Sequence, residues 1–209
     1  IYWRRIMDLL LNWRQAEQRD YLIKLAIAFL ITAGLGLIVK KAGFELPTTI
    51  APVAWALVIG GIWMIVAEHF AAKQADSVAI TLRVAIAVGL AQVVAGVFPG
   101  TSRSAATIFV AMLLGTSNRA AATEFAFLVG IPTMYAASGY ELLGQFRHGT
   151  GGEDWTALGI AFVTSTLTAF VAVKWLLGYI RTHRFTIFAY YRILFGGALL
   201  ALSAAGLVA

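Results

Sequence analysis

No cysteine occurs in this chain, which removes disulfides, thiol nucleophiles and cysteine metal centres from consideration. Histidine is nearly as scarce. His69, His148 and His183 lie far apart, without the spacing of a zinc site. Charge is the third shortage: 12% of the 209 residues are charged and 60% are hydrophobic, with a mean hydropathy of +0.82. Soluble globular domains are not built this way, and the balance indicates a polytopic membrane protein. What charge there is leans basic, with a net +6. In a membrane protein the ordinary source of that excess is basic loops on one face, so nucleic-acid binding is set aside. With only four prolines in the chain, each one marks a place where a helix is expected to end or bend.

The apolar runs give the expected architecture: all-α, one transmembrane domain over 1–209, with about five full spans and a re-entrant helix pair. Ile1–Asp20 carries Arg4, Arg5, Arg14 and Arg19 among Trp3, Ile6, Leu9, Leu10 and Trp13, which reads as a membrane-surface helix. The frayed end of a preceding span is the alternative. The spans are expected at Tyr21–Val39, Ala51–Phe70, Ala120–Leu143 (softly interrupted at Gly130-Ile131-Pro132), Trp155–Ile180 and Thr186–Val208. Polar loops are expected at Lys40–Pro47, His69–Ser77 and Gly144–Asp154. The first residue is Ile1, not Met, and we expect the chain to begin partway through a longer protein.

Between these spans lies a polar knot, Pro99-Gly100-Thr101-Ser102-Arg103-Ser104-Ala105-Ala106-Thr107-Ile108. Each apolar flank has about half the length a bilayer crossing needs. Pro99 ends the first helix, Gly100 permits a sharp turn, and Thr101 or Ser102 can cap a second helix. Ile80–Leu114 is therefore expected to enter the membrane, break near its middle and return. The charges agree. If the pair is re-entrant, one face holds Arg4, Arg5, Arg14, Arg19, Lys73, Arg83, Arg119, Arg181 and Arg184, and the other only Lys40, Lys41 and Arg147. Nine against three is the bias of a cytoplasmic face. The pair then enters from the cytoplasm, and its tip could open outward.

Non-helical backbone at membrane depth must be buried by protein or line a wet cavity. Here it offers free N–H groups at a helix start, beside the planar cation of Arg103 and the hydroxyls of Ser102, Ser104 and Thr107. That is an anion site, best suited to phosphate. The bland alternative is an arginine paired with a buried carboxylate and hydroxyls satisfied by backbone. Glu124 is a candidate partner for Arg103 or a metal, or else an interfacial charge at a helix start. Gln92 lines the site or bonds a neighbouring helix. Arg192 is expected to snorkel to headgroups, with lipid-phosphate contact as its functional alternative.

These residues resemble a known family, the undecaprenyl-diphosphate phosphatases, also called bacitracin-resistance proteins. The resemblance rests on residues 99–104 with Ala106-Thr107-Ile108. It extends through Gly89-Leu90-Ala91-Gln92, Ala122-Thr123-Glu124-Phe125-Ala126-Phe127, Ile131-Pro132 and Phe188-Ala189-Tyr190-Tyr191-Arg192. It implies a multi-pass protein of the bacterial inner membrane, built as an inverted repeat with two re-entrant pairs. The activity implied is removal of one phosphate from a polyprenyl diphosphate, which returns the lipid carrier to cell-wall synthesis. Catalytic roles would fall to Arg103, Ser102 and Ser104. Substrate binding would fall to Gly100, Thr101, Thr107, Gln92 and Glu124. A divalent cation, Mg or Ca, is implied, liganded mostly outside this chain, and a homodimer is compatible but not demanded.

Two departures stand out. The family's glutamate-rich stretch running into Ser-Ser-Thr-Gly-His is absent, and Glu45-Leu46-Pro47-Thr48-Thr49 echoes it only superficially. The expectation is that the N-terminal repeat, and with it half of the active site, is missing. Ala105 also stands where the family usually has glycine. The rival reading is a transporter or flippase for an anionic lipid, because broken helices with N-termini aimed at an anion serve both purposes.

Overall fold

The computed structural model describes residues 1–44, 49–148, 154–180 and 183–207, apart from the side chain of His148. Among them are eight helices and no strand: α1 (Trp3–Leu11), α2 (Ala16–Lys41), α3 (Ile50–Ala71), α4 (Leu82–Val97), α5 (Arg103–Leu113), α6 (Arg119–His148), α7 (Trp155–Ile180) and α8 (Thr186–Ala204). Five of them, α2, α3, α6, α7 and α8, are long and apolar enough to cross a membrane. The other two apolar helices are not. At 16 and 11 residues, α4 and α5 measure about 24 and 17 Å at 1.5 Å per residue, against a hydrocarbon core of about 30 Å.

The two short helices form a hairpin whose ends are tied together. The segment after α5 is strapped to the segment before α4. Thr116 donates to the Ala79 carbonyl at 2.7 Å, Ser117 to the Ala75 carbonyl at 2.5 Å, and the Asn118 N–H to the Ser77 carbonyl at 3.0 Å. Asn118 then caps α6, its side-chain oxygen accepting the Ala121 N–H at 3.1 Å. Residues 75–79 and 116–118 therefore share one end of the bundle, as a re-entrant pair requires.

A second tie joins the long helices at that same end. Glu68, 3% exposed near the end of α3, accepts from Arg119 at the start of α6 at 3.0 Å and from the Phe185 N–H at 2.8 Å. At the opposite end, Lys40 pairs with Glu141. The basic residues segregate as the charge argument requires, although Arg181 lies outside the described residues.

The tightest long-helix contact is α3 against α8. Small residues let the backbones approach: a Cβ on Gly196 would come 2.8 Å from the Ala54 carbonyl oxygen, and one on Gly61 2.9 Å from that of Ala189. The core gathers around α5. Ile108, Phe109 and Met112 pack among Val84, Val88, Phe125 and Val129 in one buried cluster. By contrast, α7 is exposed from Trp155 to Ala172. It meets the bundle near its C-terminal end, where Trp175 and Tyr179 pack on Phe188.

Four boundaries differ from expectation. Ile1–Asp20 is not one surface helix: α1 stops at Leu11, and α2 starts at Ala16. The Gly130-Ile131-Pro132 interruption does not occur, since α6 runs through Pro132. One N–H lost to proline costs a membrane helix less than an unwound segment with several unpaired groups. The Gly144–Asp154 loop is shorter than expected because α6 continues to His148, and residues 149–153 lie outside the described set. The last helix ends at Ala204, short of Val208. Residues 45–48 of the Glu45–Thr49 echo also lie outside the described residues.

Candidate anion site

The break is built by local backbone chemistry. Phe98 closes α4, its N–H bonded to the Val94 carbonyl at 3.0 Å, and Pro99 cannot extend the ladder. Gly100 turns with φ +94° against α3, where a Cβ would come 2.7 Å from the Val53 carbonyl oxygen. Both conditions demand glycine. Val53 and Ala56 lie in the first two turns of α3, and the Thr101 carbonyl oxygen lies 3.5 Å from where a Cβ on Gly60, midway along α3, would stand, so the break runs alongside the first half of α3. Ser102 caps α5 with φ +66°, a conformation costing a non-glycine residue about 1–3 kcal/mol. Its hydroxyl accepts the Ala105 N–H at 3.4 Å.

On one face of α5 a cavity of about 330 Å³ is lined by Gln92, Arg103, Ser104 and Thr107, and by Phe127 and Tyr135 across from them on α6. Gln92, Arg103, Ser104 and Thr107 come from two helices and were all read from the sequence as site candidates, whereas Tyr135, on α6, was not. Their states differ. Among the described residues no group bonds or ion-pairs with the Arg103 side chain, which is exposed to the cavity. The Ser104 hydroxyl is likewise exposed and unbonded. Gln92 is 3% exposed, yet both its amide nitrogen and its amide oxygen lack a partner. A buried amide with neither end satisfied is costly, and one facing a cavity beside an unpaired arginine is matched by a polar ligand. Thr107 differs again, because its hydroxyl donates to the Arg103 and Ser104 carbonyls at 2.8 and 3.1 Å. Its proton is already engaged by the helix.

The remaining candidates lie elsewhere. Ser102 and Gly100 shape the turn but do not line the cavity. Thr101 lines a separate apolar groove with Trp55, Trp63, Val94 and Phe98 on the other side of α5. Glu124 does not partner Arg103. It accepts from Arg5 Nε at 2.9 Å, and the Arg5 guanidinium also lies 4.9 Å from the Tyr21 ring centre. Burial alone would lower the pKa of Arg5, but the charge and hydrogen bond of Glu124 outweigh it, so the pKa lies above its ordinary value. The sequence position of Glu124 early in α6 places it on the α1 side of the bundle, out of reach of the break. Among the described residues no group of three His, Asp or Glu is placed to hold a metal. The polar groups around the cavity are an amide, three hydroxyls and a cation, a set suited to an anion and not to a divalent cation.

Arg192 is a second residue that lies elsewhere than the sequence reading placed it. It neither snorkels nor faces the cavity. It is 8% exposed, and its Nη2 donates to the carbonyls of Gly100 at 2.6 Å, Thr101 at 3.2 Å and Ala56 at 3.2 Å. An ionisable residue inside a membrane span was the one signal present.

Known proteins share this chain over its full length. A protein named undecaprenyl-diphosphatase from Rhizobium etli (strain CIAT 652) is 70% identical over 210 residues, which cover 100% of this chain and 79% of the relative. One of the same name from Xanthomonas euvesicatoria pv. vesicatoria is 62% identical over 198 residues, 94% of this chain and 75% of the relative. The family described as bacitracin resistance protein BacA matches residues 1–198. A cavity with an unpaired arginine at a broken helix pair, identity at this level and a family match over nearly every residue agree: this chain belongs to the bacitracin resistance protein BacA family.

Proposed function

We propose that this protein hydrolyses undecaprenyl diphosphate to undecaprenyl phosphate, as a multi-pass enzyme of the bacterial inner membrane. The observation that carries the reading is the convergence of Arg103, Ser104 and the unpartnered Gln92 amide on one cavity inside an apolar bundle. A diphosphate on a lipid satisfies both requirements. Its headgroup fills the polar cavity, and its tail stays in the hydrocarbon that surrounds the helices.

In this reading Arg103 binds phosphoryl oxygens through its planar fork, and the first amides of α5 face the same charge. Ser104 donates its hydroxyl, and the Gln92 amide donates to a phosphoryl oxygen or orients the attacking water. The phosphoanhydride P–O bond breaks, water supplies the new P–O bond, and the leaving group is the lipid monophosphate. Fixed positive charge at the phosphoryl oxygens is the largest contribution such a site makes. No carboxylate or imidazole lines the cavity among the described residues. A base to take the proton of the attacking water and the ligands of a divalent cation would therefore come from elsewhere, such as the Ser-Ser-Thr-Gly-His stretch that the family resemblance implies and this sequence does not contain.

The test is inorganic phosphate released from undecaprenyl diphosphate in detergent micelles. It compares this chain, the same protein extended to the length of its relatives, and the extended protein carrying Arg103→Ala or Arg103→Lys. Release by the extended protein, lowered about 1,000-fold by Arg103→Ala and at least about 10-fold by Arg103→Lys, is expected from the loss of a charged, bidentate contact. Full activity in Arg103→Lys would overturn bidentate recognition. Flux of the lipid across sealed vesicles without phosphate release would overturn the hydrolase reading.

A further inference from the structure

We infer that Arg192 is a positioning residue for the anion site: from behind the break, it fixes the turn that leads into α5, and so the placement of the first N–H groups of that helix toward the phosphate. The inference rests on the phosphatase reading of the cavity and assigns a part to a residue outside it.

The geometry is specific. Arg192 Nη2 meets two consecutive carbonyls of the break, Gly100 and Thr101, and ties them to the Ala56 carbonyl of α3. No cis peptide bond is present among the described residues, so each carbonyl points opposite to the N–H that follows it. The Gly100 plane thereby directs the Thr101 N–H to its bond with the Phe98 carbonyl at 3.2 Å, which closes the turn. The Thr101 plane turns the Ser102 N–H away from Arg192. With the Arg103 and Ser104 N–H groups of the first turn of α5, which have no partner within the helix, this makes a short row of donors. Ser102 holds its unusual φ of +66° directly after these two anchored carbonyls. A residue there needs neighbours that over-determine it, and Arg192 supplies them. A cation on the carbonyl side of a peptide also strengthens the N–H on its far side as a donor.

The space is made to fit. A Cβ on Gly60 would lie 2.3 Å from Arg192 Nη2 and 3.5 Å from the Thr101 carbonyl oxygen. Glycine at 60 thus admits the guanidinium, and Gly60→Ala displaces it while leaving Arg192 in the chain. The side chain is buried, and its Nε has no partner. Arg192 is therefore placed for the carbonyls of the break and not for solvent.

The experiment uses the protein at the length of its relatives, with Arg192→Lys, Arg192→Met and Gly60→Ala. It reads kcat and KM per folded molecule, thermal midpoint, and affinity for orthovanadate, an analogue of the phosphoryl group in transfer. Donors aimed at charge that grows in the transition state act on kcat more than on KM. Arg192→Met is expected to lower kcat about 100-fold and Gly60→Ala about 10-fold, with KM changed less than about 3-fold. Arg192→Lys keeps a donor cation and is expected to recover most of the loss. Analogue affinity should fall in Arg192→Met and Gly60→Ala.

A purely structural arginine predicts the opposite pattern: lower thermal midpoints, with kcat per folded molecule and analogue affinity unchanged in every variant. That result overturns the inference. Gly60→Ala and Arg192→Lys keep the test decisive if Arg192→Met does not fold. If the unsubstituted protein binds the analogue but releases no phosphate, the phosphatase reading fails alone, and analogue affinity still judges Arg192. If it releases phosphate and the variants match it, Arg192 fails alone.

Discussion

Gln92 carries two unsatisfied amide atoms at 3% exposure, so the free protein pays in stability for a group whose partner arrives with the ligand. Gln92→Leu is expected to raise the unfolding free energy by about 1 kcal/mol, because it removes buried unpaired polar atoms and fills the same space. The same substitution should lower kcat/KM about 10- to 100-fold. Thermal unfolding in detergent and phosphate release, measured on one preparation, check both signs, and loss of stability together with activity would refute the assignment. The sequence offered Arg103, Ser104 and Thr107 as neighbours at a helix start and Gln92 as lining the site or bonding a neighbouring helix, and the cavity gathers all four. It did not separate the hydroxyls. Ser104 keeps its proton free, whereas Thr107 gives its own to backbone carbonyls one turn back, and spacing is silent on that choice. Glu124 and Arg192 were misjudged for the same reason. Their partners lie 119 residues away at Arg5 and 92 away at Gly100, beyond any local pattern.

Helices are held to one another mainly by close backbone contact and by a few polar ties at their ends. Glu68 is the strongest of these, with Arg119 on one oxygen and the Phe185 N–H on the other. Glu68→Ala leaves Arg119 and a buried N–H without partners and should cost about 2–3 kcal/mol, read as a lowered thermal midpoint in detergent. The Arg5–Glu124 pair, whose side chains are 31% and 34% exposed, is worth far less by the same reasoning. The existence of the long helices was plain from their apolar runs, and α7 begins and ends where expected. Helix ends were less readable. The continuation of α6 through Pro132 and on to His148 reflects the penalty for unpaired backbone in an apolar surround, which outweighs the local breaking signal. The split between α1 and α2 has no marker in residues 12–15, which contain neither Gly nor Pro.

Across the bundle, the straps between residues 75–79 and 116–118 set the sidedness of everything after them. Because the chain has no native cysteine, each introduced one is a unique label. Gln74→Cys and Arg184→Cys are expected to react with a membrane-impermeant maleimide from the same face of sealed vesicles, and Gly43→Cys from the opposite face. Had the α4–α5 pair crossed the membrane, positions 74 and 184 would label from opposite faces. The hydropathy and basic-residue bias of the sequence already pointed to this topology. The seat of Gly100 against Val53 and Ala56 was not readable, because it joins segments that are distant in sequence.

The packing of α8 on α3 also sets a schedule for biosynthesis. Helix α8 brings both Arg192, which anchors the break, and the α8 side of the Gly61 and Gly196 contacts. It is preceded directly by Phe185, the last donor to Glu68. A ribosome delivers α3, α4 and α5 long before these partners emerge. Until α8 inserts, the nascent protein holds a half-paired Glu68 and an unanchored Ser102 turn, so the phosphate-facing amides come into register only after α8 is in place.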